Sequence, residues 1–481
     1  MASYLNFCKK DVEKVITITE SFYHKCSQIS EHSNNNLVGL FFHEIIRYFS
    51  TIIVQRHIIN HRDSDVGDFL NQNIRFGYRG KLSIYNHSLK LNKKRKFISL
   101  ISKLPFLKNR PSVHLGDVSI NNYKIIFYSY FRGYKVVYQE PNTKVFIERY
   151  DMQYQLIMEL IRKLCAEFSI DFDKALLADI KNSQSIVSQQ ISSISTFSQR
   201  DIVIIGSPGK VLNRIYSVNA HYLNLKVIGV LHSDASGSDN NPSWIYDDWS
   251  NSSHLIGYGQ YGDYLLNKEN NFLTLNRNSP IYIQSDSEVC RSVYNESKEI
   301  SELCDYSKII KQKGLYVSMR IGDISVINPY PVMDPIDYIK WQKFLLSKFP
   351  KVFVKRHPKQ AYTISYNNEV EVKKNLVEIL DELEYDFFIV DSVMSTAFSL
   401  IASSSKPIIY FNIEQPCLTN KALISIKKRV LWIDIDVYSD YKGFEIYQQL
   451  KASYKFQNTY TSMFSLSENK VSRISALLGE I

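Results

Sequence analysis

A basic turn follows a short apolar segment in the second half of the chain. Residues 351–359 read KVFVKRHPK, and their β-branched and aromatic residues alternate as in a short buried strand. The segment ends in Lys355, Arg356, His357 and Pro358. We expect chemistry at this turn, since cations and an imidazole can bind phosphate oxygens. The alternative is that Pro358 only terminates the strand and His357 is a satisfied turn residue.

A second turn, rich in hydroxyl groups, lies about 35 residues further on. Residues 385–411 read YDFFIVDSVMSTAFSLIASSSKPIIYF, which predicts a strand, a turn, a helix and a strand, the order of a βαβ unit. Ser392, Ser395 and Thr396 lie at the predicted helix start, where backbone N–H groups and the helix dipole favour a phosphate. Helix capping without a ligand is the alternative.

Both turns must share one edge of a sheet if they are to hold one ligand. Parallel strands would bring them to the same carboxyl edge, where open α/β sheets bind ligands. We therefore predict a site for a phosphate-bearing ligand there.

Alternation of strand and helix patterns extends over two stretches, from Asp201 and from Gly314. This pattern predicts an α/β fold with two Rossmann-like domains, preceded by extra N-terminal helices. The predicted boundaries are 1–310, with its βα part from about residue 200, and 311–455. A C-terminal helix in 456–481 is expected to cross back over the first domain. Upstream, SINNYKIIFYSYF and GYKVVYQE are predicted as strands.

Composition limits the class of protein. The chain has 481 residues, of which 44% are hydrophobic and 22% charged, as in an ordinary globular protein. Its six cysteines lack CxxC spacing, so neither a zinc cage nor a disulfide framework is indicated, and a reducing compartment follows. Since no apolar run reaches the roughly 18 residues that span a bilayer, we expect a soluble or peripheral protein.

The net charge of +10 indicates an acidic partner. Residues 90–110 combine lysines and arginines with apolar residues, as in a segment that lies on an anionic membrane surface. The alternative is the solvated basic face of an ordinary helix. No RNA-recognition signature or zinc finger is visible, so nucleic acid is not the expected partner.

The motifs VKRHP, DSVMST and KPII, in this order, resemble the C-terminal half of GT-B glycosyltransferases that use cytidine-nucleotide donors. These include bacterial sialyl- and polysialyltransferases, capsule and O-antigen Kdo transferases, and CDP-glycerol glycerophosphotransferases. In those families the HP turn and the Ser/Thr helix start hold the nucleotide and its phosphate. The resemblance covers about residues 314–433 well. It implies two Rossmann-like domains that face each other across a cleft.

A departing CMP group agrees with these residues chemically. It needs cations and N–H donors around developing negative charge, and Arg320, Lys355, Arg356 and the predicted helix start can supply them. His357 could hydrogen-bond the phosphate or the ribose. Because side-chain cations can replace Mg²⁺ in this role, we expect no cofactor and no metal requirement.

Glycosyl transfer also needs a base, or a carboxylate nucleophile if configuration is retained. The exit of the predicted strand LKVIGVLHSD carries the candidates His232 and Asp234. His232 looks like the WHG-type histidine of the glycerophosphotransferases, but Ser233 stands where glycine is expected, and the D/E-D/E-G motif of the sialyltransferases is absent. Asp234 is the first candidate and His232 the second. A solvated polar loop is the alternative; the remaining candidates are Asp239, Asp247, Asp248 and Glu140.

The leading hypothesis is a cytoplasmic glycosyltransferase, in solution or peripheral to the inner membrane, in bacterial surface polysaccharide synthesis. It would move Kdo or another nonulosonic acid from its CMP form to a glycan or lipid-linked glycan acceptor. A CDP-glycerol or CDP-ribitol polyol-phosphate transferase is the second hypothesis. A non-enzymatic polyanion-binding protein is the third.

Overall fold

The computed structural model describes the chain in separate stretches. These are mainly residues 104–138, 151–171, 197–206, 224–231, 252–260, 281–294, 311–318, 335–357, 371–413, 418–435 and 457–481, with isolated positions between them and in the first 50 residues.

The first sheet contains six parallel strands in the order β2-β1-β3-β4-β5-β6. Their bounds are β1 (Ser112–Leu115), β2 (Lys135–Tyr138), β3 (Ile202–Ile205), β4 (Lys226–Val230), β5 (His254–Tyr258) and β6 (Ile281–Ser285). Strand β3 reads IVII and is buried throughout, because helices cover both faces of a parallel sheet.

The second sheet contains five parallel strands in the order β12-β11-β10-β8-β9. The remaining strands are β7 (Cys304–Asp305), β8 (Gly314–Val317), β9 (Val352–Lys355), β10 (Phe387–Val390), β11 (Ile408–Asn412), β12 (Leu431–Asp434) and β13 (Ser453–Tyr454). Strands β7 and β13 form a separate antiparallel pair. Strand order reverses beside β8, and such a reversal opens a crevice at the carboxyl ends of the strands.

Helices connect the strands and cover the sheets. Within the described residues they are α1 (Asn122–Phe131), α2 (Asp151–Glu167), α3 (Glu288–Val293), α4 (Pro335–Lys348), α5 (Leu376–Asp381), α6 (Thr396–Ser403), α7 (Asn420–Arg429), α8 (Thr459–Phe464) and α9 (Arg473–Glu480). Isolated helical positions also occur among the first 50 residues. No helix in the described part of the chain is long and apolar enough to cross a membrane.

Each sheet has its own hydrophobic core. Ile204, Ile228 and Ile256 from neighbouring strands of the first sheet pack with Leu477 of α9. Phe388 and Val390 of β10 pack with Phe398 of α6 in the second core. The α/β prediction with two parallel sheets is confirmed, and this architecture is compatible with two Rossmann-like domains.

The C-terminal segment contacts both halves of the molecule. Helix α8 packs against α6 and α7 of the second sheet, and α9 packs against β5 and β6 of the first. The chain passes Gly259, whose φ of +65° is costly for other residues, and a Cβ there would lie 2.4 Å from the Met463 carbonyl oxygen. Asp286 accepts hydrogen bonds from Arg291 and from the backbone and hydroxyl of Ser467.

Two predictions upstream of residue 200 require correction. The stretch SINNYKIIFYSYF was predicted as a strand, but Asn122–Phe131 is helix α1. It connects β1 to the parallel neighbour β2, and a crossover of this kind is usually helical. Because β1 and β2 belong to the first sheet, the βα architecture begins at Ser112 rather than near residue 200.

Candidate functional site

The carboxyl edges of the two sheets meet beyond β4 and α6. The hydroxyl oxygens of Ser233, which follows β4, and Thr396, the first residue of α6, lie 3.4 Å apart. A second contact joins the same two edges, since the backbone N–H of Thr419 donates to the carbonyl of Ser238 at 3.0 Å. Polar groups from both sheets therefore face one shared region.

The turn after β10 begins with a buried carboxylate. Asp391 accepts a hydrogen bond from the hydroxyl of Tyr316 on β8, and Gln342 Nε2 donates to that hydroxyl at 3.3 Å. All three side chains are fully buried. Sequence analysis missed Tyr316 and Gln342 because only the parallel pairing of β8 with β10 brings them to this turn.

Ser318 lies beside Asp391, because Val317 pairs with Val390 in the preceding register position. Its side chain is buried, and its hydroxyl makes no hydrogen bond within the part of the chain that the structure describes. A buried hydroxyl without a partner is unusual in a folded protein.

The start of α6 carries the predicted hydroxyl residues. Ser395 is the N-cap, and its Oγ accepts from the backbone N–H of Phe398 at 3.1 Å. The capping alternative is thus realised for this serine. Thr396 is exposed and Ser392 is half-buried, so both hydroxyls can reach a ligand. The first N–H groups of an α-helix have no intrahelical acceptor, which keeps this end suited to an anion.

The basic turn follows β9 on the same carboxyl edge. Strand β8 lies between β9 and β10, so the two turns are separated by two strand spacings, roughly 10 Å. Lys355 pairs with Val317 and extends from the sheet face that α6 covers. The prediction that both turns share one edge is confirmed, although they are not on adjacent strands.

The charges of this turn are partly balanced. Burial lowers the pKa of the Lys355 ammonium group, and the carboxylates of Glu371 and Glu378 oppose that effect. Arg356 lies 3.6 Å from a carboxylate oxygen of Glu371. His357, next along the chain, is half-buried. A phosphate here would therefore meet Lys355 more directly than an unopposed cluster of three cations.

Arg473, the first residue of α9, reaches the exit of β4. Its guanidinium donates to the carbonyl of Leu231 at 3.2 Å, contacts the hydroxyl of Tyr258 and lies 5.2 Å from the centre of the Tyr258 ring. Sequence analysis missed Arg473, because only the return of the C-terminal segment brings it to this edge.

Several predicted site residues lie outside the described residues, so their positions are set only by their neighbours. His232 stands between the described residues Leu231 and Ser233, and Asp234 follows Ser233. The others are Arg320, which follows β8, Pro358, which follows His357, and the further carboxylates Glu140, Asp239, Asp247 and Asp248.

A buried ion pair lies away from this region, at the other end of the first sheet. His114 Nε2 lies 3.0 Å from a carboxylate oxygen of Asp201, which also accepts from the backbone N–H groups of Ser112 and Ser198. Burial alone would raise the pKa of the Asp201 carboxyl, but these hydrogen bonds outweigh it and lower the pKa. Because Asp201 precedes β3, this pair stabilises the fold rather than the shared edge.

A pocket of about 220 Å³ lies at the amino edge of the second sheet. Tyr385, before β10, and Lys406, before β11, line it together with Val293 of α3. It is therefore at the opposite end of the strands from the two turns. Within the described ranges, no group of three or more His, Cys, Asp or Glu side chains could hold a metal ion.

The fold and this region define an α/β protein whose two parallel sheets meet at their carboxyl edges. No protein-family model and no curated protein sequence matches the chain. The resemblance to cytidine-nucleotide transferases therefore depends on the three motifs.

Proposed function

We propose that the chain is a GT-B glycosyltransferase that transfers Kdo or another nonulosonic acid from a CMP-activated donor to a glycan or lipid-linked glycan. The observation that supports it is the 3.4 Å approach of Ser233 to Thr396. A nucleotide held at the start of α6 would direct its sugar towards the exit of β4, because the two carboxyl edges face each other.

The donor's phosphate binds between the turns of the second sheet. Lys355 and the first N–H groups of α6 stabilise the charge that develops as CMP leaves. Ser392 and Thr396 donate hydroxyl hydrogen bonds, while Ser395 keeps the helix start in place. Arg320, Arg356 and His357 contact the outer side of the nucleotide, and Pro358 ends the basic turn.

The acceptor approaches from the first sheet. Its hydroxyl oxygen forms a bond to the anomeric carbon, the bond from that carbon to CMP breaks, and Asp234 takes the acceptor's proton. His232 is the second candidate for this base. No metal or other cofactor is required. The protein acts in the cytoplasm, at the inner membrane face where lipid-linked acceptors are built.

A thermal-shift screen with CMP, CDP, UDP and GDP tests the nucleotide. CMP at about 100 times its dissociation constant should stabilise the protein by roughly 2.7 kcal/mol, and His357→Ala should reduce that gain. Greater stabilisation by UDP than by CMP would contradict the cytidine assignment.

Incubation with CMP-Kdo, CMP-sialic acid and CDP-glycerol, in EDTA, tests the reaction. CMP release from an acidic sugar donor is expected. Release from CDP-glycerol alone would instead establish a polyol-phosphate transferase. If no nucleotide shifts the melting temperature while polyanions bind in a salt-sensitive way, the protein is a polyanion-binding module.

A further inference from the structure

Helix α1 presents three aromatic side chains to solvent in one row. Tyr123, Phe127 and Phe131 are spaced four residues apart, which places them on one side of a helix. Their exposed fractions are 54%, 76% and 81%. We call these three residues the aromatic stripe.

The opposite side of α1 is anchored in the protein. Ile125, Ile126 and Ser129 are buried, and both isoleucines belong to the core of the first sheet. Helix α1 also packs against β2 and α9. The stripe is thus held outward on a rigid support. Single exposed apolar residues are common on protein surfaces, but a continuous row of large ones indicates an interaction surface.

Cations surround the stripe. Lys124, Arg132 and Arg110 are exposed on or next to α1, and the Arg132 guanidinium lies 5.2 Å from the centre of the Tyr128 ring. Residues 69–138 contain fourteen lysines and arginines but a single acidic residue, Asp117. Since the whole chain carries a net charge of +10, its entire positive excess comes from this stretch.

We propose that the aromatic stripe and the cations beside it dock onto an anionic lipid bilayer. Phenylalanine rings gain free energy by leaving water for the headgroup boundary, and cations next to them are attracted by acidic lipids. A second copy of the chain fits this surface poorly, because it would bring two strongly basic stretches together. Polar nucleic acid does not explain the apolar rings of Phe127 and Phe131.

This surface extends the expectation for residues 90–110. Of that segment the structure describes only a part, in which Leu104 is 39% exposed and Leu107 is buried. The segment leads into β1, the neighbour of the strand that follows α1. The inference depends on α1 alone, and it holds whether or not the protein transfers a sugar.

Co-sedimentation of the full-length protein with vesicles tests the proposal. The vesicles are phosphatidylcholine with or without phosphatidylglycerol, at low and at high salt. Wild type should bind the anionic vesicles more strongly, and salt should weaken this binding. The double variant Phe127→Gln, Phe131→Gln should bind them at least about tenfold more weakly. Lys124→Gln should lose about fivefold, and only on anionic vesicles.

Ile424→Gln is the matched control. Ile424 is 56% exposed on α7, which carries Lys427, Lys428 and Arg429 in its last turn. It combines an exposed apolar side chain with basic neighbours outside α1, so its replacement should leave vesicle binding unchanged. Equal losses for Ile424→Gln and the double variant, or no loss for the double variant, would refute the proposal.

Two further measurements distinguish lipid insertion from self-association and from RNA binding. Phe131→Trp should retain vesicle binding, and its added fluorescence should be quenched by lipids brominated on their acyl chains; no added quenching means that the helix does not enter the bilayer. Sedimentation velocity without lipid should show no dimer that the double variant abolishes. Such a dimer, or RNA binding that falls with the double variant while vesicle binding persists, would overturn the lipid assignment.

Discussion

The hydroxyl groups of Ser233 and Thr396 lie 3.4 Å apart although they are 163 positions apart in the sequence. One follows a strand of the first sheet and the other begins a helix of the second. The region around them can therefore take a phosphate from one side and an acceptor from the other. Lys355, Asp234 and Arg473 border this region, and each can be tested separately.

Lys355 should contribute to CMP affinity through its position at the carboxyl end of β9. Lys355→Ala should weaken CMP binding about tenfold, since a hydrogen bond to a charged group contributes about 1.5–3 kcal/mol. Lys351→Ala is the control, because Lys351 is exposed at the amino end of the same strand. Titration calorimetry with CMP measures both. Equal losses would place the nucleotide elsewhere.

Asp234 should act as the base or nucleophile. Asp234→Asn keeps the side chain's size and removes the proton acceptor, so turnover should fall by about 10² or more while CMP affinity is unchanged. In a retaining mechanism, mass spectrometry of the protein with donor alone should detect a sugar adduct on Asp234. If Asp234→Asn turns over normally and His232→Ala does not, histidine takes the role.

Arg473 should position the exit of β4 rather than bind the nucleotide. Arg473→Met removes the hydrogen bond to the Leu231 carbonyl, so we expect turnover to fall about tenfold with unchanged CMP affinity. Arg473→Lys should recover part of it, because one ammonium can reach one of the two acceptors. A fall in CMP affinity that matches the fall in turnover would contradict a positioning role.

Gly259 should be needed for the passage of the C-terminal segment. Gly259→Ala forces a Cβ against the Met463 carbonyl at a positive φ, so the free energy of unfolding should fall by about 1–3 kcal/mol. Gly479→Ala is the control, since nothing lies within 4 Å of its Cβ, and helix propensity should raise stability by up to about 1 kcal/mol. Urea unfolding of both variants measures the difference.

Asp201 should make the protein sensitive to acid. Its folded pKa lies below the usual value, so its contribution to stability is present above about pH 4 and is lost as pH falls through the folded pKa. Asp201→Asn should lower stability at pH 7 and flatten the decline below pH 4. Some decline should remain, since hydrogen bonds from Arg291 and Ser467 outweigh burial and lower the pKa of Asp286 too. Urea unfolding between pH 3 and 7 provides the test; an unchanged slope would contradict it.

The sequence alone determined the strands and helices of the second sheet closely. The run FFIV, bounded by Asp386 and Asp391, is β10, and the helix expected to end near Ser403 is α6. Such runs are informative because strands of a parallel sheet are buried on both faces and follow each other in a fixed βα rhythm. The shared carboxyl edge of the two turns followed from that rhythm.

Tertiary context decided the rest. The stretch IIFYSYF has strand-forming composition, yet the crossover between two parallel strands made it a helix and turned its aromatic residues into one exposed row. The four residues SVHL were too short a signal for β1. The neighbours of the predicted site, Tyr316, Gln342 and Arg473, come from distant elements. Their contacts depend on strand order and on the return of the C-terminal chain, which local periodicity does not encode.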